Sequence, residues 1–93
     1  MPELTLDSTV VRAEDVMASP VDDELVMMDL ERGVYYSLDR VGADIWNRLA
    51  QPVAVADLCS QLMQKYAVDQ ETCETDVLAV LNDMAANGLL AEV

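Results

Sequence analysis

Three short runs that read as strands come early in the chain, and three runs of helical period follow them. Val16–Val21 (VMASPV) is the first strand. Pro20 has no N–H to give, so this strand lies at a sheet edge or ends there. After a break at Asp22-Asp23 comes Glu24–Asp29 (ELVMMD), with Leu25 and Met27 on one face and Val26 and Met28 on the other. Apolar residues on both faces predict a strand covered on both sides. A tight turn at Glu31-Arg32-Gly33, where the glycine permits the backbone, leads into Val34–Leu38 (VYYSL) as the second arm of a hairpin. In that strand Val34, Tyr36 and Leu38 share one face, while Tyr35 and Ser37 share the other. Only one of the two tyrosines can therefore point at the core; the other becomes a partly exposed wall.

From Asp39 the apolar period lengthens to that of a helix. Residues 40–50 carry Val41, Ile45, Trp46 and Leu49 on one side, Asp39 suits the N-cap, and Pro52 stops the run. Trp46 falls beside this stripe and reads as core. Residues 54–66 repeat the pattern with Val55, Leu58, Cys59, Leu62, Met63 and Tyr66, although no good capping residue precedes them. Asp69 is a fitting cap for a third helix over 70–87, and Glu71 and Glu74 suit its positive end. Its stripe of Cys73, Val77, Val80, Leu81 and Met84 is widened by Leu78, Ala79, Ala85 and Ala86, as a helix facing both a core and a groove would require. Asn87-Gly88 ends it, with Gly88 in the left-handed position and Leu89 making the packing contact after it.

At the termini the pattern weakens. Residues 1–9 read as a loosely ordered arm, Thr9–Arg12 as a short strand or part of that arm, and Leu89–Ala91 as a segment that packs back or forms a last strand. Strands segregated from helices predict an α+β fold: a three-stranded antiparallel sheet followed by three helices, in one domain spanning 1–93. The second and third helices are joined closely enough to sit as a helix-turn-helix pair.

Composition narrows the function classes. With five Lys and Arg against 18 Asp and Glu, the net charge is −13, which repels phosphate backbones. The 53% apolar content nevertheless belongs to a folded chain. There is no histidine, so the usual general base and the commonest metal ligand are missing. None of the phosphate-loop, dinucleotide, nucleophile-elbow or zinc-protease signatures occurs, nor does calcium-loop spacing. Cys59 and Cys73 lie on apolar helical positions and read as buried thiols of a reducing compartment. No stretch is long and apolar enough for a membrane span, and no signal segment opens the chain; the expected location is cytoplasmic. These absences favour a binding module without cofactor or metal over an enzyme.

Gly33-Val-Tyr-Tyr-Ser-Leu38-Asp39, then Gly42 and Ile45-Trp46, resemble the signature of the PqqD-like family, the RiPP recognition elements of ribosomal peptide-modification pathways. The spacing to Pro52, the stripe through Tyr66-Ala-Val-Asp69, Asp76-Val77 and the closing Asn87-Gly88-Leu89-Leu90 extend the resemblance over residues 10–91. The resemblance implies a winged-helix-like fold without catalysis. Its members bind the leader segment of a precursor peptide and deliver it to modifying enzymes. GxYYxL followed by IW resembles the stand-alone proteins of lasso-peptide clusters more than the pyrroloquinoline-quinone pathway member, which implies a leader peptidase and a macrocyclase as partners. Carried onto this chain, the leader adds antiparallel to Val34, Tyr35, Tyr36, Ser37 and Leu38, and lies in a groove against helix 70–87. The implied groove residues are Val77, Val80, Leu81 and Met84, with Asp76 and Asp83 placed to meet basic leader residues.

An exposed strand edge gives sequence-tolerant affinity through its backbone groups, which is independent support for that use. The same edge is open to a second copy of the chain, so a homodimer is a further expectation. A winged-helix regulator binding nucleic acid or a protein partner is the alternative. Against nucleic acid, residues 70–87 hold no Lys or Arg and four acids (Glu71, Glu74, Asp76, Asp83). An acyl-carrier-like domain would need Asp-Ser-Leu opening a helix, whereas Asp7-Ser8 is followed by Thr9 in the arm.

Overall fold

The computed structural model describes residues 3–14, 16–30 and 32–93. In chain order the elements are β1 (Thr9–Arg12), β2 (Val16–Val21), β3 (Glu24–Asp29), β4 (Val34–Leu38), α1 (Arg40–Arg48), β5 (Val53–Ala54), α2 (Val55–Lys65), α3 (Gln70–Ala86) and β6 (Leu90–Glu92). The predicted meander is present as an antiparallel sheet in the order β2-β3-β4. Of the β3–β4 turn, Glu31 lies outside the described residues, as do Met1 and Pro2 of the arm; Gly33 adopts φ 66°, as the turn requires.

The register of this sheet fixes which backbone groups point outward. Val21 pairs with Glu24 across the two-residue Asp22-Asp23 loop, so that pair must exchange both of its hydrogen bonds. Alternation then directs Met17, Ser19 and Val21 toward β3, and Val16, Ala18 and Pro20 toward the outer edge. Pro20 is tolerated within the strand because its missing donor faces no partner strand. On the other side Leu25, Met27 and Asp29 pair with Leu38, Tyr36 and Val34. By the same alternation these pairs carry the β3–β4 hydrogen bonds, leaving the N–H and C=O of Tyr35 and Ser37 at the open edge of β4.

The inner face of the sheet joins the core through Leu25 and Met27, with Tyr36 and Leu38 packed against it. The outer face corrects the expectation that β3 is covered on both sides. Val26 and Met28 are half-buried, yet no second layer lies over them among the described residues; Met28 is flanked by its cross-strand neighbours Met17 and Tyr35, which are 59% and 67% exposed. Cross-strand shelter on a central strand replaces a covering layer.

A second sheet, in the order β5-β1-β6, was not expected. Val10 is fully buried at its centre and pairs with Val53 on one side and Glu92 on the other. Thr9–Arg12 is thus a strand, and the end of the chain pairs with it. Among the described residues before it, Leu4, Leu6 and Ser8 are packed rather than loose. Leu4 is 4% exposed, and its N–H donates to Asn82 Oδ1 on α3 at 2.9 Å. This arm also explains how α2 begins without a capping side chain: the Ser8 and Leu6 carbonyls accept from the Val55 and Ala56 N–H groups at 2.9 and 3.1 Å.

The other helix ends follow the sequence. Asp39 accepts from the Gly42 N–H at 2.8 Å and Asp69 from the Thr72 N–H at 3.2 Å. At the end of α3 the Leu89 N–H reaches Met84 O and the Gly88 N–H reaches Ala85 O, with Gly88 at φ 72°. Gly42 has a packing role: a Cβ there would lie 3.1 Å from Leu38 Cβ, so glycine lets α1 turn closely out of β4. The α+β class is as predicted. The winged-helix likeness is loose, since the chain builds two small sheets around its three helices.

Candidate functional site

The β4 edge follows from local sequence. Tyr and Val favour the pleat, Gly33 sets the turn, and the Asp39 cap forces the chain out of the sheet after Leu38. Tyr36 and Leu38 pack on the core, whereas Tyr35 projects from the opposite face at 67% exposure. Val34 and Ser37 are also exposed. The hairpin is fastened to the C-terminal end of α3. Tyr36 Oη lies 3.5 Å from Asn87 Oδ1, and Arg32 Nη1 donates to the Asn87 carbonyl at 3.0 Å. Asn87 is steadied in turn by its Nδ2 donating to the Asp83 carbonyl at 2.8 Å.

Along α3 the predicted residues separate by burial. Leu81 is fully enclosed and Met84 is 3% exposed; both hold α3 to the core, and neither is on the wall of the cavity that Val77 and Val80 line. The widened stripe conceals this, because an over-wide apolar face does not say which edge of it is open. Asp76 and Asp83 are exposed and Val80 is half-buried. Asp76, Val77 and Val80 come together on the wall of an apolar cavity of about 250 Å³, whose other walls are Val41 and Ile45 of α1, Leu62 and Tyr66 of α2, then Val68 and Cys73. Val41 sits three residues beyond the end of β4, so the cavity flanks that end of the strand. Sequence reasoning assigned Val41, Ile45, Leu62 and Tyr66 to core stripes only. The signal for Val41 was present, since it is 42% exposed at an apolar stripe position.

Electrostatics add one fixed centre. Asp44, beside Ile45, accepts from Arg48 Nε at 2.9 Å, Tyr66 Oη at 2.9 Å and Lys65 Nζ at 3.0 Å. These partners outweigh partial burial and hold its carboxyl below the usual carboxylate range. The thiols behave oppositely. Burial pushes Cys59 up to about 11 and Cys73 upward as well, so both stay protonated and unreactive near neutrality. Among the described residues no cluster of His, Cys, Asp or Glu has the arrangement of a metal site. A wider cleft of about 890 Å³ lies under β2, lined by Arg12, Val16, Ala18, Pro20 and Trp46 among others, and shares no residue with the predicted site.

An open strand edge and an apolar cavity with Asp76 on its wall are the two features the predicted residues bring out. The family model described as coenzyme PQQ synthesis protein D (PqqD) matches residues 24–90, more than half of the chain, and the chain belongs to that family. Two solved structures share the fold. TbiB1 in complex with the TbiA(beta) leader peptide superposes with a TM-score of 0.79 at 31% identity, over 86% of this chain and 93% of that one. A lasso peptide synthetase B1 complexed with its leader peptide gives 0.78 at 24% identity, over 88% and 96%, and speaks to the fold alone. No protein of curated function matches the sequence.

Proposed function

We propose that this chain is a non-catalytic adaptor that binds the leader segment of a ribosomally synthesised precursor peptide. The leader adds as a strand to the open edge of β4 and sets an apolar side chain into the cavity between α1, α2 and α3. The observation that carries this reading is the pairing register, which turns the N–H and C=O of Tyr35 and Ser37 away from β3 and toward that edge. Likeness to TbiB1, described with a leader peptide bound, supports it. Asp76 at the cavity and Asp83 near the hairpin clasp meet basic residues of the leader. The loaded adaptor presents its peptide to modifying enzymes of the lasso-peptide type, a leader peptidase and a macrocyclase. No described helix is long and apolar enough to cross a membrane, and two free buried thiols fit a cytoplasmic protein.

The test is a fluorescence-anisotropy titration with the leader of the precursor encoded beside this gene. Saturable binding between nanomolar and micromolar Kd, about −12 to −8 kcal/mol, displaced by unlabelled leader, is the expected result. A folded protein that binds no such leader refutes the reading.

A further inference from the structure

The aromatic wall of the cavity is not held by the helix it follows. Tyr66 caps α2 in an extended conformation, φ −115° and ψ 145°, and residues 67–69 beyond it have no regular structure before α3 begins at Gln70. Its backbone N–H donates to Leu62 O at 2.8 Å and its carbonyl accepts from the Val68 N–H at 3.0 Å, but these backbone bonds do not dictate where the ring points. The ring is placed at its far end, where the hydroxyl donates to Asp44 Oδ2 at 2.9 Å. Lys65 Nζ, bound to the same carboxylate oxygen at 3.0 Å, sits 5.5 Å from the ring centroid. Asp44 is itself pinned from α1 by Arg48 Nε at 2.9 Å, and Arg48 reaches across to Gln61 Oε1 on α2, also at 2.9 Å. The Asp44 side chain is only 14% exposed, which shields these bonds from water and salt.

We infer that Asp44 is a positioning residue for peptide capture: without lining the cavity, it fixes the Tyr66 ring, which shares the cavity wall with Asp76, Val77 and Val80. This rests on the adaptor reading, in which that cavity takes a side chain of the leader. Two roles of one carboxylate separate here. Its charge holds Arg48 and Lys65 and so staples α1 to α2. Its acceptor oxygen orients the Tyr66 hydroxyl and so shapes the cavity. An asparagine keeps an acceptor and loses the charge; an alanine loses both.

The test compares Asp44→Asn, Asp44→Ala, Tyr66→Phe and the Asp44→Ala/Tyr66→Phe double variant, each by leader anisotropy and by thermal unfolding. Both Asp44 variants lower Tm, because both give up the ion pairs. Leader affinity follows the acceptor instead: Asp44→Ala weakens it about five- to tenfold and Asp44→Asn stays within about twofold. Tyr66→Phe weakens it like Asp44→Ala, and the double variant is no weaker than either single one, since both remove the same bond. Affinity that falls in step with Tm in both Asp44 variants, or changes in neither, overturns the positioning role. Failure of the wild-type protein to bind leader overturns the adaptor reading instead, so the two failures are told apart.

Discussion

Proline scanning of β4 separates edge pairing from fold stability, because the register assigns each position to one or the other. Tyr36 turns its backbone toward Met27 of β3, so Tyr36→Pro removes a ladder hydrogen bond, drives a ring into the neighbouring strand and empties a core-packed site. Leaving the Met27 carbonyl without its donor alone costs about 1–3 kcal/mol, a sizeable part of the roughly 5–15 kcal/mol that holds a domain together. Tyr35 turns its N–H to the open edge, where no strand is bonded. Tyr35→Pro loses no ladder bond and replaces a side chain that is 67% exposed, so its cost is smaller and comes mostly from shifting φ from the strand range toward −65°. The natural Pro20 occupies the equivalent outward position on β2, and the strand continues past it to Val21. Binding responds in the reverse order. A proline at 35 leaves a leader carbonyl without its donor in a buried ladder, about 1–3 kcal/mol, which is about five- to 150-fold in Kd. Tyr35→Ala keeps the N–H and controls for the lost ring. Urea unfolding and leader anisotropy on the three variants read both quantities. A folded Tyr35→Pro that binds like wild type would sink edge addition at this position, and a Tyr36→Pro as stable as wild type would sink the register.

Three further outcomes are expected. Val80→Asp puts a second carboxylate on the cavity wall beside Asp76; leader affinity falls more than about tenfold while urea unfolding moves by less than about 1.5 kcal/mol, Val80 being half-buried. The folded-state pKa of Asp44 is lowered, so its stabilising contribution is present above the ordinary carboxylate range and lost as pH falls through the folded value. The stability gap between wild type and Asp44→Asn, wide at pH 7, should therefore close in acid; a gap that stays constant down to about pH 2 contradicts the charge role. Cys59 and Cys73, 1% and 4% exposed, should react with a thiol reagent only slowly in the native protein and fully in denaturant, and fast native labelling would contradict their burial.

Much of this architecture is legible residue by residue. The bounds of β2, β3 and β4 follow from short apolar runs cut by Asp22-Asp23 and Gly33, and the caps Asp39, Asp69 and Gly88 act through bonds to residues at most four away. Pro20 announces its own edge. The second sheet is not legible, because β1, β5 and β6 are two to four residues long and exist only through pairing across the whole chain. For the same reason the start of α2 is unreadable locally: its N–H groups are satisfied by Leu6 and Ser8, some fifty residues earlier. The candidate site divides in the same way. The β4 edge belongs to a contiguous stretch and can be read. The cavity needs α1, α2 and α3 together, and only their packing decides that Val80 lines it while Leu81 does not.

The most direct measurement is residue-resolved amide hydrogen exchange with and without the leader peptide. Val34, Tyr36 and Leu38 face β3 and are protected in both conditions. If the leader adds to β4, the amides of Tyr35 and Ser37 become protected on binding, while Val16 and Ala18 at the opposite edge of the sheet keep exchanging as before. Leader binding that leaves Tyr35 and Ser37 unprotected, or that protects Val16 and Ala18 in their place, contradicts the assignment of β4 as the peptide-binding edge.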